Sequence, residues 1–159
     1  MINERVLKAL ENSKVQYQIE EFAEPFKSTK DASELLGVEM SRLAKCLAFR
    51  LPIGIAVLVL AGDALIDKKK YQKIFKVPMH PLDEEDLMEY TGFIPGAVTP
   101  IAISYRKAKV FMDVSLRPYL NQMVYPSGGT LNSAVGITAG NLFDLAGCKE
   151  WIDITLQYP

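Results

Sequence analysis

Two neighbouring apolar segments constrain the fold of this chain more than any other feature: KCLAFRL at residues 45–51 and IGIAVLVLAG at residues 53–62. Their residues favour strands, and Pro52 and Gly54 interrupt them. We therefore predict two adjacent β-strands, at least one of them buried on both faces. The longest apolar run, residues 51–61, is far shorter than the roughly 20 residues that cross a bilayer. These segments predict the core of a sheet.

Capping residues and helical spacing of apolar residues predict five helices around this sheet. Four of them begin after the N-caps Asn3, Ser28, Asp67 and Asp83. Gly37 and Gly92 end the second and fourth helices, and a short fifth helix contains Asn141 and ends near Gly147. The third helix is expected to turn Tyr71, Ile74 and Phe75 inward.

Alternating apolar residues and turn residues predict further strands. They are VQYQI at 15–19, IAISY at 101–105, KVFMDVSL at 109–116, two strands around Gly128 and Gly129 within 122–138, and WIDITLQY at 151–158. Short turns between the late strands favour hairpins over parallel crossovers. The predicted class is α/β or α+β: a mixed, largely antiparallel sheet, curled or forming a partial barrel, flanked by helices within a single domain over residues 1–159.

The composition excludes several kinds of function. Two cysteines are too few for a disulfide framework, and the single histidine, His80, argues against a metal centre. No nucleophile elbow and no phosphate-binding glycine loop occur, which argues against triad hydrolases and nucleotide triphosphatases. The N-terminus lacks the apolar region of a signal peptide, so we expect a cytoplasmic protein without a membrane partner. A net charge of −1 argues against broad nucleic-acid binding.

Two charged residues interrupt otherwise apolar strands. Lys45 opens its strand and can present a cation to a phosphate or carboxylate with a lowered pKa, although spacing alone favours a lysine that snorkels at the sheet edge. Asp113 points outward if its strand alternates normally, or else sits in a cleft as an acceptor. Alternation favours the outward orientation.

The segment TGFIPGAVTPIAI at residues 91–103 combines Gly92 and Gly96 with Pro95 and Pro100. Glycine admits positive φ and close approach of another backbone, whereas proline fixes φ. The segment therefore predicts a loop of one defined shape that can act on a substrate only through its peptide groups.

Five segments, in order along the chain, resemble the YbaK/prolyl-tRNA synthetase-associated domain family. They are AKCLAFR, LAGDALIDKKKYQKIF, LMEYTGFIPGAVTPIAI, KVFMDVSL and YPSGGTLNSAVGIT. The lysine-led strand and the G-x-x-x-P loop are the most specific of these features. Members of the family are aminoacyl-tRNA deacylases, either free-standing or inserted in bacterial prolyl-tRNA synthetases. The resemblance implies their fold and trans-editing, the hydrolysis of the ester that joins a wrong amino acid to the terminal adenosine of a tRNA.

The resemblance also implies a set of site residues. Lys45 would anchor the 3′-terminal nucleotide or the aminoacyl ester, and the loop from Gly96 to Pro100 would shape the pocket through its backbone. Asp113 matches a functional aspartate of the family. The remaining expected substrate-binding residues are Ala97, Val98, Thr99, Ser127, Gly128 and Gly129. Water would attack, helped by the ribose hydroxyl of the substrate and with no cofactor.

The expected partner is the acceptor end of an aminoacyl-tRNA, together with an aminoacyl-tRNA synthetase. Candidate contacts to the tRNA backbone are Lys68, Lys69, Lys70, Arg106, Lys107 and Lys109, which on residue type alone read as a solvated helix face and a turn. Phe22 and Ala102 depart from the His or Tyr and the glycine of many relatives. This departure sustains an alternative: a non-catalytic module that binds aminoacyl-adenosine-like ligands or docks on a synthetase.

Overall fold

One mixed sheet organises the protein, whose computed structural model describes residues 1–156. Its strands in that range are β1 (Gln18–Glu21), β2 (Leu43–Arg50), β3 (Ile55–Ala61), β4 (Ala108–Asp113), β5 (Met123–Pro126), β6 (Ser133–Thr138) and β7 (Trp151–Ile152). They lie in the order β1-β6-β5-β2-β3-β4-β7. The sheet is open, with β1 and β7 at its edges.

Both strand directions occur in this sheet. The β1–β6, β2–β3 and β5–β6 pairings are antiparallel, and they include the longest ladder, the seven residue pairs between β2 and β3. The β2–β5, β3–β4 and β4–β7 pairings are parallel. The prediction of a mixed, largely antiparallel sheet flanked by helices is confirmed.

The predicted core strand is confirmed in β3. Every residue of β3 is buried, and the strand lies between β2 and β4. Because both of its faces are covered, an unbroken apolar run replaces the usual alternation. On one face, the buried Tyr71 ring packs edge-on against Phe49 of β2, with centroids 5.4 Å apart, and Phe75 packs against Phe111 of β4.

Five helices flank the sheet within the described residues: α1 (Glu4–Glu11), α2 (Thr29–Leu36), α3 (Lys68–Phe75), α4 (Glu84–Thr91) and α5 (Ala139–Leu145). The predicted caps are confirmed, since the side chains of Asn3, Ser28, Asp67 and Asp83 each accept a hydrogen bond from a backbone N–H of the first turn. Gly37 and Gly92 end α2 and α4 at positive φ. None of these helices is long and apolar enough to cross a bilayer.

The strand predicted at residues 101–105 is wrong, because this segment forms a turn and coil. Ala102 adopts a φ of 68°, which is incompatible with an extended strand, and Ile101 is fully buried. The strand predicted at 109–116 ends at Asp113 instead. The Asp113 side chain accepts from the Ser115 N–H and caps a 3-10 helix over Val114–Tyr119, so local capping overrides the apolar pattern.

Three smaller predictions also differ from the structure. The first strand begins at Gln18, not at Val15. Ile74 is 39% exposed, so α3 turns Tyr71 and Phe75 inward without it. The last strand is limited to Trp151–Ile152, with an isolated bridge between Ile66 and Thr155. The remainder of its predicted range, residues 157–158, lies outside the described residues.

Candidate functional site

A cavity of about 450 Å³ opens between α2, the first half of β2, the β5–β6 connection and the loop after α4. Four of the predicted site residues line it: Lys45, Gly96, Val98 and Ser127. They come from three separate parts of the sequence, so the fold brings together the lysine-led strand, the G-x-x-x-P loop and the serine of the glycine-bearing turn. This cavity is the candidate active site.

Lys45 is the basic residue of β2 that lines this cavity. It pairs with Leu60 of β3, and β2 is an interior strand of the sheet, so the interpretation of Lys45 as an edge lysine is wrong. Its Nζ donates to the carbonyl oxygen of Gly62 at 3.4 Å and to that of Ala64. An ammonium group has three N–H donors, and these two bonds within residues 1–156 use two of them.

The surroundings of Lys45 shift the pKa of its ammonium group. Partial burial lowers the pKa of its ammonium, and the nearby Asp63 carboxylate offsets part of that shift. Burial disfavours the charged form, whereas a neighbouring carboxylate favours it. The two carbonyl acceptors hold the ammonium in one place, which makes it a positioned cation.

The loop after α4 reaches the cavity with its backbone. Gly96 has a φ of 83° and is exposed to the cavity, whereas Ala97, Thr99 and Pro100 are buried behind the lining. The Ser127 hydroxyl donates to the Ala97 carbonyl at 3.2 Å and accepts from the Gly129 N–H at 3.0 Å. The hydrogen bond from Ser127 to Ala97 connects the loop to the β5–β6 connection.

Gly128 and Gly129 do not line the cavity. A Cβ on Gly129 would lie 2.6 Å from Cβ of Asn3 and 2.9 Å from the Phe93 ring, and a Cβ on Gly128 would lie 2.3 Å from the Ser133 hydroxyl. The Asn3 N–H also donates to the Gly128 carbonyl at 2.9 Å. The two glycines let this turn approach α1 closely, and they thereby position Ser127.

Asp113 lies outside the lining of the cavity and is 1% exposed, so its predicted outward orientation is wrong. Its carboxylate accepts hydrogen bonds from the Ile154 N–H at 2.8 Å, the Thr155 hydroxyl at 2.9 Å and the Ser115 N–H at 2.9 Å. A buried carboxylate is stable only when such donors replace its water.

The basic residues predicted to contact tRNA fall into two places. Lys68 and Lys69 are exposed at the start of α3, four and five residues after the Ala64 carbonyl that holds Lys45. The side chain of Lys70 is held within the protein, because its Nζ donates to Asp153 at 2.9 Å and to the Thr155 carbonyl at 2.7 Å.

The second group, Arg106, Lys107 and Lys109, lies at the opposite end of β3. The Lys107 carbonyl accepts from the Ile55 N–H, and Lys109 pairs with Ala56. Lys45 pairs with Leu60 at the other end of the strand. Ile55 and Leu60 are five residues apart along β3, which corresponds to about 17 Å.

Most of the cavity wall was not predicted. The further lining residues are Phe26, Lys27, Ser28, Thr29, Ala32, Leu36, Leu43, Ala44, Cys46, Leu47, Tyr125, Thr130, Leu131, Ser133 and Ala134. Phe22 stands behind this wall, with its ring 5.3 Å from that of Phe26. The Phe26 N–H donates to the Leu131 carbonyl, a long-range contact with no local sequence signal. Only the N-cap Ser28 marks this segment in the sequence.

The lining offers no reactive cysteine and no metal-binding cluster among residues 1–156. Burial raises the pKa of the Cys46 thiol well above its ordinary value, and the reactive form of cysteine is the thiolate. No group of three or more His, Cys, Asp or Glu residues in that range could hold a metal ion. The positioned lysine and the backbone of the loop therefore carry the polar character of the site, together with the hydroxyls near Ser127.

Known proteins share both the sequence pattern and the fold. The sequence profile of the aminoacyl-tRNA editing domain matches residues 23–145. "Uncharacterized protein YwhH" of Bacillus subtilis (strain 168) is 35% identical over 137 residues, which cover 86% of this chain and 85% of YwhH.

Two solved structures resemble the whole fold. "A putative trans-editing enzyme for prolyl tRNA synthetase" superimposes with a TM-score of 0.86 at 25% identity, over 96% of each chain. The "hypothetical protein APE2540" superimposes with a TM-score of 0.81 at 22% identity, over 96% of this chain and all of the other. At that lower identity the likeness concerns the fold alone.

Proposed function

The chain belongs to the aminoacyl-tRNA editing domain family, and from that premise we propose that it hydrolyses the ester bond of a mischarged aminoacyl-tRNA in trans. The observation that carries the proposal is the cavity that Lys45 and Gly96 line together. In this proposal residues 1–159 act as one editing domain in the cytoplasm, on tRNAs that a synthetase, such as prolyl-tRNA synthetase, has charged.

Lys45 has the chemistry to hold the 3′ end of the substrate. Two of its N–H groups bond to the carbonyls of Gly62 and Ala64, and the third is proposed to donate to a phosphate or to the ester oxygen. A charge-assisted hydrogen bond of this kind contributes about 1.5–3 kcal/mol. The fixed position of the ammonium adds orientation, which lowers the barrier of a reaction without a protein nucleophile.

The Gly96 loop is proposed to shape the aminoacyl end of the cavity. Its peptide groups can polarise a carbonyl without a side chain, and the absence of a Cβ at Gly96 keeps that approach open. Water is the nucleophile in this scheme, and the ribose hydroxyl of the substrate orients it. Val98 and Ser127 contact the same space, so they are proposed as substrate-binding residues.

The first experiment is deacylation of tRNAs charged with alanine, serine, cysteine and proline. We compare the wild type with Lys45→Ala and with a matched control, Lys73→Ala, which removes an exposed lysine on α3. We expect wild type and control to hydrolyse one or two of these esters and Lys45→Ala to lose the activity. Folding of each variant is checked by circular dichroism.

The same panel tests the alternative of a binding module. A module would bind a charged 3′ end without releasing the amino acid, so binding is measured in parallel with an aminoacyl-tRNA whose ester is replaced by an amide. Binding without hydrolysis of any tested ester would contradict the proposed enzyme. Hydrolysis that is equal in wild type and Lys45→Ala would remove Lys45 from the site.

A further inference from the structure

We propose that Asp113 is a positioning residue for Lys45, although it does not touch the cavity. The proposal rests on the proposed function for its consequence in catalysis, but its structural basis is independent. In this proposal the buried Asp113 carboxylate holds the backbone segment whose carbonyls accept hydrogen bonds from the Lys45 ammonium.

The first step is the link from Asp113 to the start of that segment. The Asp113 carboxylate accepts from the Ser115 N–H at 2.9 Å, and the Ser115 hydroxyl accepts in turn from the Ala61 N–H at 3.0 Å. Ala61 is the last residue of β3. Asp113 therefore fixes Ser115, and Ser115 fixes the point where β3 enters its turn.

The second step is the link to the end of the segment. Asp113 also accepts from the Ile154 N–H at 2.8 Å and from the Thr155 hydroxyl at 2.9 Å. The Ile154 carbonyl accepts from the Asp67 N–H at 2.9 Å, and Thr155 forms an isolated bridge with Ile66. One carboxylate thus holds two chain segments, and each of them bonds to one end of residues 61–67.

The third step concerns what lies between these two ends. The carbonyls of Gly62 and Ala64 accept from the Lys45 ammonium. The turn packs closely against the Met40 backbone, since a Cβ on Gly62 would lie 2.5 Å from the Met40 carbonyl. If the two ends shift, both acceptors of Lys45 shift with them, and a displacement of about 1 Å in a positioning group costs on the order of 100-fold in rate.

The test replaces Asp113 by asparagine, which keeps the size but turns one acceptor oxygen into a donor that faces an N–H group. Ser115→Ala is a second variant that removes only the acceptor of the Ala61 N–H. Ile137→Val, a fully buried substitution in β6, is the control for a general loss of stability.

We call the hydrogen bonds through which Asp113 and Ser115 hold residues 61–67 the clamp. Amide hydrogen exchange of the whole chain measures this clamp without reference to activity. We expect exchange at Ala61 to accelerate at least about tenfold in both Asp113→Asn and Ser115→Ala, and exchange at Asp67 to do so in Asp113→Asn. The β1–β6 ladder keeps its protection in both variants. In Ile137→Val the protection of Ala61 and Asp67 follows global stability alone.

Nitrogen-15 NMR of the Lys45 ammonium gives a second readout. In the wild type, hydrogen bonds to two carbonyls slow proton exchange of this ammonium, so its signal is expected to be observable at low temperature. We expect the signal to weaken or disappear in Asp113→Asn and in Ser115→Ala and to persist in the control. The kcat/KM for ester hydrolysis is expected to fall at least about tenfold in the two clamp variants and less than twofold in the control.

The outcomes separate this inference from the proposed function. A wild type without hydrolysis contradicts the proposed function, while the exchange and ammonium measurements still decide whether Asp113 holds Lys45. Unchanged exchange at Ala61 together with an unchanged Lys45 signal overturns the inference. Reduced hydrolysis with an intact Lys45 signal also overturns it. If Asp113→Asn does not fold, the same measurements on Ser115→Ala decide the question.

Discussion

Ala102 is a residue whose backbone conformation conflicts with its side chain. Its φ of 68° lies in the left-handed region, which costs a residue with a Cβ roughly 1–2 kcal/mol. Lys76 is the other residue besides glycine with positive φ in the described part of the chain, and it ends α3. Ala102 instead follows the Gly96 loop directly, so its strained conformation helps to determine the path by which that loop leaves the cavity.

Replacing Ala102 by glycine is expected to stabilise the protein. Glycine adopts this φ without steric cost, but it also gains entropy in the unfolded state, so the expected net increase in the free energy of unfolding is about 0.5–1 kcal/mol. Urea denaturation measures it. Ala102→Val is the opposing variant, and its β-branched side chain is expected to destabilise. A glycine variant less stable than the wild type would contradict the assignment of strain.

Lys45 predicts a pH dependence of substrate binding. Burial lowers the pKa of its ammonium, so the positive charge is lost at a lower pH than in an exposed lysine, whose pKa is about 10.4. We expect binding of a tRNA with an amide-linked amino acid to weaken at a lower alkaline pH than a contact with an exposed lysine would, and by about tenfold or more once the ammonium has lost its proton. Lys45→Met, which carries no charge, should bind weakly and without this pH dependence. A wild-type profile as flat on the alkaline side as that of Lys45→Met would contradict the role of the ammonium.

Among the elements, the Gly96 loop carries the most direct test of the proposed site. A side chain at Gly96 must accept a φ of 83°, and its Cβ would lie 3.2 Å from Cδ2 of Leu131 in the cavity wall. Gly96→Val is therefore expected to abolish hydrolysis. Gly147 is a matched control, since it has a φ of 66° but no atom within 4 Å of its Cβ position.

The two valine variants separate backbone strain from a local effect on the site. Both are expected to lose about 1–2 kcal/mol of stability, because both place a side chain at positive φ. Only Gly96→Val is expected to lose hydrolysis at temperatures where both variants are folded. Equal activity in the two variants would show that the loop is only a connector.

The elements also show which parts of the fold the sequence could predict. The helices were predicted well because their signals are local: Ser28 caps α2 through the Asp31 N–H, and Gly37 ends it at a φ of 70°. The strand at 101–105 was not a strand, because an apolar run cannot report the positive φ of Ala102. The end of β4 was missed for a related reason, since the Asp113 side chain competes with the ladder for the backbone.

The site was predictable only in part, and the resemblance to a family contributed most of it. Lys45, Gly96, Val98 and Ser127 meet in the cavity, yet spacing alone favoured an ordinary edge lysine. The apolar wall was missed because it depends on distant contacts, such as the bond from the Phe26 N–H to the Leu131 carbonyl. For Asp113 the situation is reversed: the sequence singles out the residue, but its contacts can be known only from the fold.

At the scale of the whole molecule, the proposed function and the positions of the basic residues together predict which of these residues a tRNA would contact. The turn that holds Lys45 leads directly into α3, so Lys68 and Lys69 lie at the cavity end of β3. Arg106 and Lys107 lie at the opposite end of β3, where the Lys107 carbonyl accepts from the Ile55 N–H. Ile55 is about 17 Å along the strand from Leu60, the residue that pairs with Lys45. If the 3′ end of an acceptor stem enters the cavity as proposed, we expect the stem to meet Lys68 and Lys69 first.

This arrangement predicts unequal contributions to tRNA binding. We compare Lys68→Ala/Lys69→Ala with Arg106→Ala/Lys107→Ala, which remove the same number of charges, and measure Kd over a series of salt concentrations. Each lost contact to a duplex phosphate reduces the magnitude of the negative slope of log K against log salt by about 0.9. We therefore expect the slope of the Lys68→Ala/Lys69→Ala variant to decrease in magnitude by up to about 1.8, and that of the other variant to change little. A larger loss in the Arg106 and Lys107 variant would instead mean that the stem runs along the length of the sheet, with its phosphates against the opposite end of β3.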